Sequence, residues 1–512
     1  MAGTTKRPNI LLITSDQQHF GTIGALNPKI KTPSLDQLCN EGVRFDRAYC
    51  PNPTCTPTRA SIITGMYPSQ HGAWTLGTKL FEDVPVVGDQ LRGAGYFTSL
   101  VGKAHFQQLL NRKGMESLES QPLMRDLEFW RNFHGPWYGF EHIETARMHT
   151  WESHAGQHYA IWMEEKGLKN WRDYFGAWPA NKEDSIRHIK MQHWDLPEQY
   201  HYNVWTAERT IAQMERAKEE GRPFFVWSSF FDPHPPYCVP EPWASMYRPE
   251  DMEPGKLTPG ELDKMPTHFR MTQGQHDEYW VKIKEQAGIT IHGQGRHDRF
   301  TERQLQEFMA IYYGMVSFMD HEIGKIMAAL DRLGMADDTI VIFSTDHGHY
   351  MGQHGLVFKC LYHYEDMIKI PFIVRWPGKA PAGTVSNNIQ NLVDLAPSFV
   401  AAAGLPIPGV MTGVNQLQTW CGGEAARSWS ITENHHTPKN FNIRTYVNQR
   451  YKITIYQANN EGEIFDLQED PGELNNLWDS PSAQELKTRL LHEFMQATMS
   501  CEPMRMPRIT GA

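Results

Sequence analysis

Three short apolar runs in this chain close on the same residue type. NILLITSD occupies 9–16, PFFVWSSFFD occupies 223–232 and TIVIFSTD occupies 339–346, so Asp16, Asp232 and Asp346 each end a run. Within each run apolar residues fall on successive positions, so both faces of each predicted strand need cover. That pattern belongs to parallel strands packed between helices rather than to a strand with one wet face. Amphipathic stretches separate the runs, among them RQLQEFMAIYYGMVSFMDHEIGKIMAALDRL at 303–333. Strands alternating with helices predict an α/β fold built on a mostly parallel sheet flanked by helices. In such sheets ligands bind beyond the carboxyl ends of the strands, where these aspartates stand.

At 512 residues the chain exceeds one ordinary domain. The strand–helix rhythm predicts an α/β domain over 1–424, interrupted at about 107–205. Eight of the 16 tryptophans and eight of the 24 histidines fall between Trp130 and Trp205. That density predicts an insertion over the sheet edge, serving as a substrate-shaping lid, an oligomer contact or plain aromatic packing. From about 425 the pattern changes. RTYVNQRYKITIYQ and GEIFDLQEDPGELNNLW read as antiparallel strands joined by turns, followed by a helix over 482–498. A smaller α+β subdomain with an antiparallel sheet is expected over 425–512, ending in an aperiodic tail.

The formal net charge is −10, and no dense run of Lys and Arg occurs. Nucleic acid is disfavoured as a partner, because phosphate binding needs a basic face. No apolar stretch approaches the length of a membrane span. The opening MAGTTKRPNILLITSD lacks the apolar core and cleavage site of a secretion signal, which predicts a cytoplasmic location. The seven cysteines, at 39, 50, 55, 238, 360, 421 and 501, are scattered and odd in number. They suggest neither a disulfide framework nor a zinc knuckle.

Cys55 stands apart from the other six. In NPTCTPTRASIITG (52–65) it lies between Pro53 and Pro57, a context that breaks regular structure. Pro57 suits the first turn of a helix over 57–64, which leaves Cys55 at or just before the helix start. Unpaired backbone N–H groups and the helix dipole favour an anion there, and Arg59 adds a cation within one turn. Asp16 and the Asp346-His347 pair close two strands and suit a divalent cation, with Gln17 offering a carbonyl oxygen. VGKAHF (101–106) sets Lys103 and His105 on one side of an extended segment. FDPHPPY (231–237) holds His234 in a proline-rich loop, where an imidazole can serve as acid or base. GQHGLVFKCLYHYED (352–366) supplies His354 and Lys359 shortly after the Asp-His pair.

These residues carry a resemblance. CTPTRASIITGMYPSQHG resembles the signature of the type I sulfatases, the formylglycine-dependent arylsulfatases of the alkaline phosphatase superfamily. PNILLITSDQ resembles their opening metal strand, and KTPSLDQLCNEGVRFDRAYC the segment leading to the signature. VGKAHF resembles their Gly-Lys-x-His motif, FDPHPPY their Pro-His loop, and TDHGHYMGQHGLVFK their second metal strand with its lysine. GEIFDLQEDPGELNNLW resembles their C-terminal subdomain. The resemblance covers nearly the whole chain apart from 107–205.

The resemblance implies an alkaline-phosphatase-like fold and hydrolysis of small-molecule sulfate monoesters. It also implies that formylglycine-generating machinery oxidises Cys55 to an aldehyde, which hydrates to a gem-diol. One hydroxyl would attack the ester to give a covalent sulfo-enzyme, and the other would then expel sulfate. Carried over residue by residue, Asp16, Gln17, Asp346, His347 and residue 55 would hold a divalent metal, calcium first, with manganese or magnesium as alternatives. Lys103 and Arg59 would hold the formylglycine oxygens, and His105 would be the base that breaks the hemiacetal. His234 and Lys359 would bind the sulfate and serve the leaving group. Asp16-Gln17 and Asp346-His347 stand where many sulfatases have Asp-Asp and Asp-Asn. Asp-Gln with Asp-His also occurs in the related phosphonate monoester hydrolases, which lack the Gly-Lys-x-His motif. A phosphonate monoester hydrolase or phosphodiesterase is therefore the second expectation. A non-catalytic binding protein with unmodified Cys55 is the third. Aryl, sugar and alkyl sulfates all fit these motifs, and the C-terminal arm and aromatic insertion are candidate surfaces for a homo-oligomer.

Overall fold

A computed structural model describes residues 7–147, 155–175, 192–266, 269, 295–296, 300–359, 362–437, 441–457 and 459–504. Its main sheet has eight strands: β1 (Asn9–Ser15), β2 (Val43–Phe45), β3 (Phe97–Gly102), β4 (His142–Thr145), β5 (Phe224–Ser229), β6 (Thr339–Thr345), β7 (Phe372–Arg375) and β8 (Thr384–Ser386). Their spatial order is β8-β2-β7-β6-β1-β5-β3-β4. The three apolar runs thus become three neighbours, β6, β1 and β5, at the centre. Only β7 runs against the other strands.

The unbroken apolar runs follow from cover on both faces. The principal helices on the sheet are α1 (Pro33–Glu41), α2 (Cys55–Thr64), α3 (Gln157–Glu165), α4 (Tyr202–Glu219), α5 (Glu302–Arg332) and α6 (Leu395–Ala402). Ile10, Leu12, Trp227 and Ile342 join the core beneath α2 and α6. Leu11, Ile13, Val226 and Phe343 join a second core beneath α1, α4 and α5. Each fully buried aliphatic or aromatic side chain contributes roughly 1.5–3 kcal/mol, so the apolar stretches of the central strands are held by burial on both faces. The start of α5 is fixed locally. Gln304 N donates to Thr301 Oγ1, and the Gln304 side chain accepts from Thr301 N.

Residues 107–205, expected to be laid over the sheet edge, supply the edge strand themselves. β4 pairs in parallel with β3. Tyr159, Trp162, Trp171, Trp194 and Trp205 then pack into one aromatic core beside it. The stretches 148–154 and 176–191 lie outside the described residues, as do Cys360 and the tail beyond 504.

The C-terminal region forms a four-stranded antiparallel sheet, β9 (Trp429–Thr437), β10 (Phe441–Asn448), β11 (Tyr451–Tyr456) and β12 (Gly462–Asp466), in that order. Helix α7 (Gln484–Ser500) begins and ends two residues later than 482–498. β9, with the sequence WSITENHHT, was not expected as a strand, because its polar residues give no apolar alternation. None of the described helices is long and apolar enough to cross a membrane.

Candidate active site

Register brings the strand-end residues together. Ser15 lies opposite Thr345, Thr14 opposite Ser229, and Gly102 opposite Ser229, all in parallel pairs. Asp16, Asp346 and Lys103, the residues that follow, therefore leave the sheet at one level. Gly102 makes this approach feasible. Its φ is +103°, and a Cβ built there would lie 1.9 Å from Ser229 O.

Cys55 is the first residue of α2, two residues earlier than the expected 57–64, with Thr54 extended before it at φ −138° and ψ 153°. Asn52 shapes this entry: its Oδ1 accepts from Thr54 N at 2.9 Å, and its carbonyl accepts from Thr58 Oγ1 at 2.6 Å. The Cys55 Sγ lies 3.2 Å from His347 Nε2, 3.2 Å from Lys359 Nζ and 3.6 Å from Asp16 Oδ1. Lys359 Nζ is in turn 3.1 Å from His234 Nε2. Arg59, fully buried, donates from Nε to Asp346 Oδ2 at 2.9 Å and from Nη1 to Ser229 Oγ at 2.7 Å and Lys103 O at 2.9 Å. Lys103 forms a buried ion pair with Asp16.

The charges set the protonation of the site. Burial and Asp16 push the Cys55 thiol up while Lys103 and Lys359 pull it down, and the net direction is below its ordinary value. His347 moves the other way. Burial disfavours its cation, but Asp346 and Cys55 hold the proton, and its titration is raised. His105 is held well below the usual imidazole range by burial and by Lys103 and Arg59, so it stays a neutral base. His234 is likewise depressed, by burial and then by Lys359 and Lys103.

The donor atoms of Asp16, Cys55, Asp346 and His347 lie within 4.8 Å of one another, and all four residues are buried. Gln17 joins them through its backbone, N donating to Asp346 Oδ1 at 3.0 Å from a left-handed φ of 63°. Its Nε2 is 2.9 Å from His349 Nδ1, which leaves Oε1 buried without a hydrogen bond among the described residues. Two carboxylates, an imidazole and an orphaned amide oxygen fit a divalent cation.

Above this cluster opens a cavity of about 1390 Å³, lined in part by His105, His234 and Lys359. The residues singled out from sequence thus meet here except Asp232, whose carboxylate accepts from Tyr202 Oη and Asn203 Nδ2, and His354. The His354 side chain stacks on Tyr364 with ring centroids 3.6 Å apart and lies 3.2 Å from Glu261. Sequence reasoning missed four participants: Ser229, His349, Glu119 and Arg147. Glu119 accepts from His105 N at 2.6 Å and Gln107 N at 2.8 Å, fixing the turn in which His105 has φ 55°. Arg147 lines the cavity from the end of β4. Ser229 could have been flagged by its place at the end of a buried run. Nothing local marks Glu119 or Arg147.

Comparison with known proteins identifies the family. The sulfatase family profile matches residues 8–405. This chain belongs to the sulfatase family. A second profile, the C-terminal part of N-sulphoglucosamine sulphohydrolase, matches residues 352–500 of the sulfatase. The arylsulfatase of Clostridium perfringens is 28% identical over 503 residues, covering 94% of this chain and 92% of that protein. The choline-sulfatase of Rhizobium meliloti is 26% identical over 489 residues, covering 93% and 84%. In fold, the sulfatase superposes on a phosphonate monoester hydrolase from Agrobacterium radiobacter with a TM-score of 0.77 at 23% identity, covering 98% and 97% of the two chains.

Proposed function

We propose that this enzyme hydrolyses sulfate monoesters of the aryl type in the cytoplasm, through a formylglycine made from Cys55 and a divalent cation, with calcium as the first choice. The observation that carries this reading is the place of Cys55 at the start of α2, with Asp16, His347 and Lys359 around its sulfur within 3.6 Å. A bound cation would act as Lewis acid on the sulfate oxygens, and the hydrated aldehyde would supply the attacking hydroxyl and a second one for release.

The protein's own groups do the rest. The N-terminus of α2 and the Arg59 guanidinium stabilise negative charge at residue 55. Asp346, held by Arg59, orients Gln17 and His347 through their backbone N–H groups. Neutral His105, buried in the cavity lining, accepts a proton. Lys359 and His234, 3.1 Å apart, receive the sulfate and the leaving oxygen. Preorganised donors of this kind are each worth roughly 10²–10³-fold in rate.

A second reading is a phosphonate monoester hydrolase or phosphodiesterase on the same formylglycine, favoured by Gln17 and His347. Against it, Lys103 and His105 both stand at the site, Lys103 paired with Asp16 and His105 lining the cavity. The test has two parts. The mass of the Cys55 peptide should show the aldehyde, and Cys55→Ala should abolish turnover of an aryl sulfate. Full activity in that variant, or a large kcat/KM preference for the matched aryl phosphonate, would overturn the proposal.

A further inference from the structure

The cavity above the site is charged in one sense. Lys79, Arg112, Arg147 and Lys359 line it, and no Asp or Glu does among the described residues. The chain as a whole is at −10, so this lining is a local reversal of charge. Lys359 serves the sulfate, and Lys79 is paired with Glu82 at 3.2 Å. Arg147 and Arg112 are not accounted for by either role.

Arg147 is the informative one. It is only 9% exposed, and its Nη1 donates to Leu109 O at 2.9 Å. Its Nε is buried without a hydrogen bond, and no carboxylate lies within ion-pair distance among the described residues. The nearest candidate, Glu119, spends both oxygens on the backbone N–H groups of His105 and Gln107. Burial accordingly lowers the Arg147 titration to about 10, with Glu119 opposing. A buried guanidinium left this way is costly unless a ligand completes it. It follows β4, which is three strands from β1 in the sheet, so its backbone is roughly 14 Å from that of Asp16 at the usual strand spacing. Arg147 thus stands to the side of the strand ends that carry Asp16 and Asp346 while lining the same cavity as Lys359, a place suited to a part of the substrate other than the sulfate. Trp74 and Phe81, the latter 56% exposed, supply aromatic surface for a ring there.

We propose that the natural substrate is a ring-bearing sulfate ester whose leaving group carries a second anionic group, a carboxylate or another sulfate, received by Arg147 with Arg112 at the rim. This rests on the sulfatase reading for the reaction, but not for the binding.

The test uses phenyl sulfates carrying a meta carboxylate, a meta sulfate group or a neutral meta carboxamide. Either or both anionic esters should exceed the carboxamide at least tenfold in kcat/KM, and the advantage should shrink as salt rises. Whichever anion gains identifies the second group. In Arg147→Gln the ratio should fall towards unity. Arg112→Gln, at an exposed position, should lower it partly and guards against a misfolded Arg147 variant. Calorimetric binding of the corresponding phenols to the Cys55→Ala protein should give the same ranking without turnover. If no sulfate ester reacts but the anionic phenols still bind tighter, the reaction assignment fails and the subsite stands. Equal or better binding and turnover of the neutral ring, or a preference untouched in both arginine variants, would overturn the subsite.

Discussion

At the scale of single residues, the least obvious participant is Glu119. Its carboxyl is pushed up to about 7 by burial, against the backbone N–H groups it accepts from and Arg147. It contacts no reacting atom in this arrangement; it holds the turn that aims His105. Glu119→Gln keeps the volume and removes one acceptor, so kcat on an aryl sulfate should fall about tenfold, the order of a charge-assisted hydrogen bond, with KM little changed. A lower Tm with kcat intact would show Glu119 to be structural only. His71 makes a different prediction. Burial depresses its titration to about 3; Ala73 N donates to Nδ1 at 3.1 Å, and Nε2 faces Ser61 Oγ at 3.0 Å. An unfolded imidazole titrates near 6.5, so between about 6.5 and 3 the unfolded chain binds the extra proton and stability falls as pH falls. The slope is about 1.4 kcal/mol per pH unit. A His71→Asn protein, whatever its stability at neutral pH, should therefore lose less Tm between pH 6.5 and 4.5 than the unaltered protein. Parallel curves would contradict the assignment.

At the scale of elements, the notable partner of the Cys55 loop is β9. Glu433 N donates to Pro51 O at 2.8 Å, Thr432 Oγ1 donates to Cys50 O at 2.7 Å, and Asn52 Nδ2 donates to Glu433 O at 2.6 Å. The C-terminal sheet thus buttresses the segment that presents Cys55. Asn52→Ala would leave Glu433 O and Thr54 N buried without these partners, at a cost of roughly 2–5 kcal/mol. Denaturant titration should show a lower midpoint with an unchanged m-value. No loss of stability would mean that the β9 contact does not hold the loop. Sequence reasoning found the strands with unbroken apolar runs, β1, β5 and β6, because burial on both faces writes itself into composition. It missed β9, since a strand docked through side-chain and backbone hydrogen bonds leaves a polar sequence.

At the scale of the molecule, residues 1–424 and 425–512 share buried interior. Tyr67 and Val393 belong to the same apolar cluster as Ile431, Tyr446, Ile464 and Phe494. Arg427 and Asp394 form an ion pair at 3.0 Å with both side chains 2% exposed. Lys452 pairs with Glu473 in the interior and donates to His363 O at 2.6 Å. The Arg427–Asp394 pair, the Lys452–His363 bond and the shared apolar cluster all cross the boundary near 425, and removing one side of a buried ion pair costs roughly 3–5 kcal/mol. A chain ending at 424 should express without cooperative unfolding and without activity. A folded, cooperative 1–424 fragment would refute this.

What the sequence determined by itself was which residues stand at the candidate site and their local frame. Asp16, Asp346 and His347 end or follow strands whose apolar runs permit one sheet position, and Cys55 sits where its flanking prolines and Arg59 make a helix start for an anion. These features are short-range, and periodicity and turn chemistry report short-range constraints directly. Tertiary structure alone decided the level at which β1, β3 and β6 release their residues. It also decided the support of His105 by Glu119, the bracing of the Cys55 loop by β9, and the presence of Arg147 over the cavity. Each joins residues distant in the chain through register, buried hydrogen bonds or a shared void. Such contacts depend on how elements dock and leave no period in the sequence.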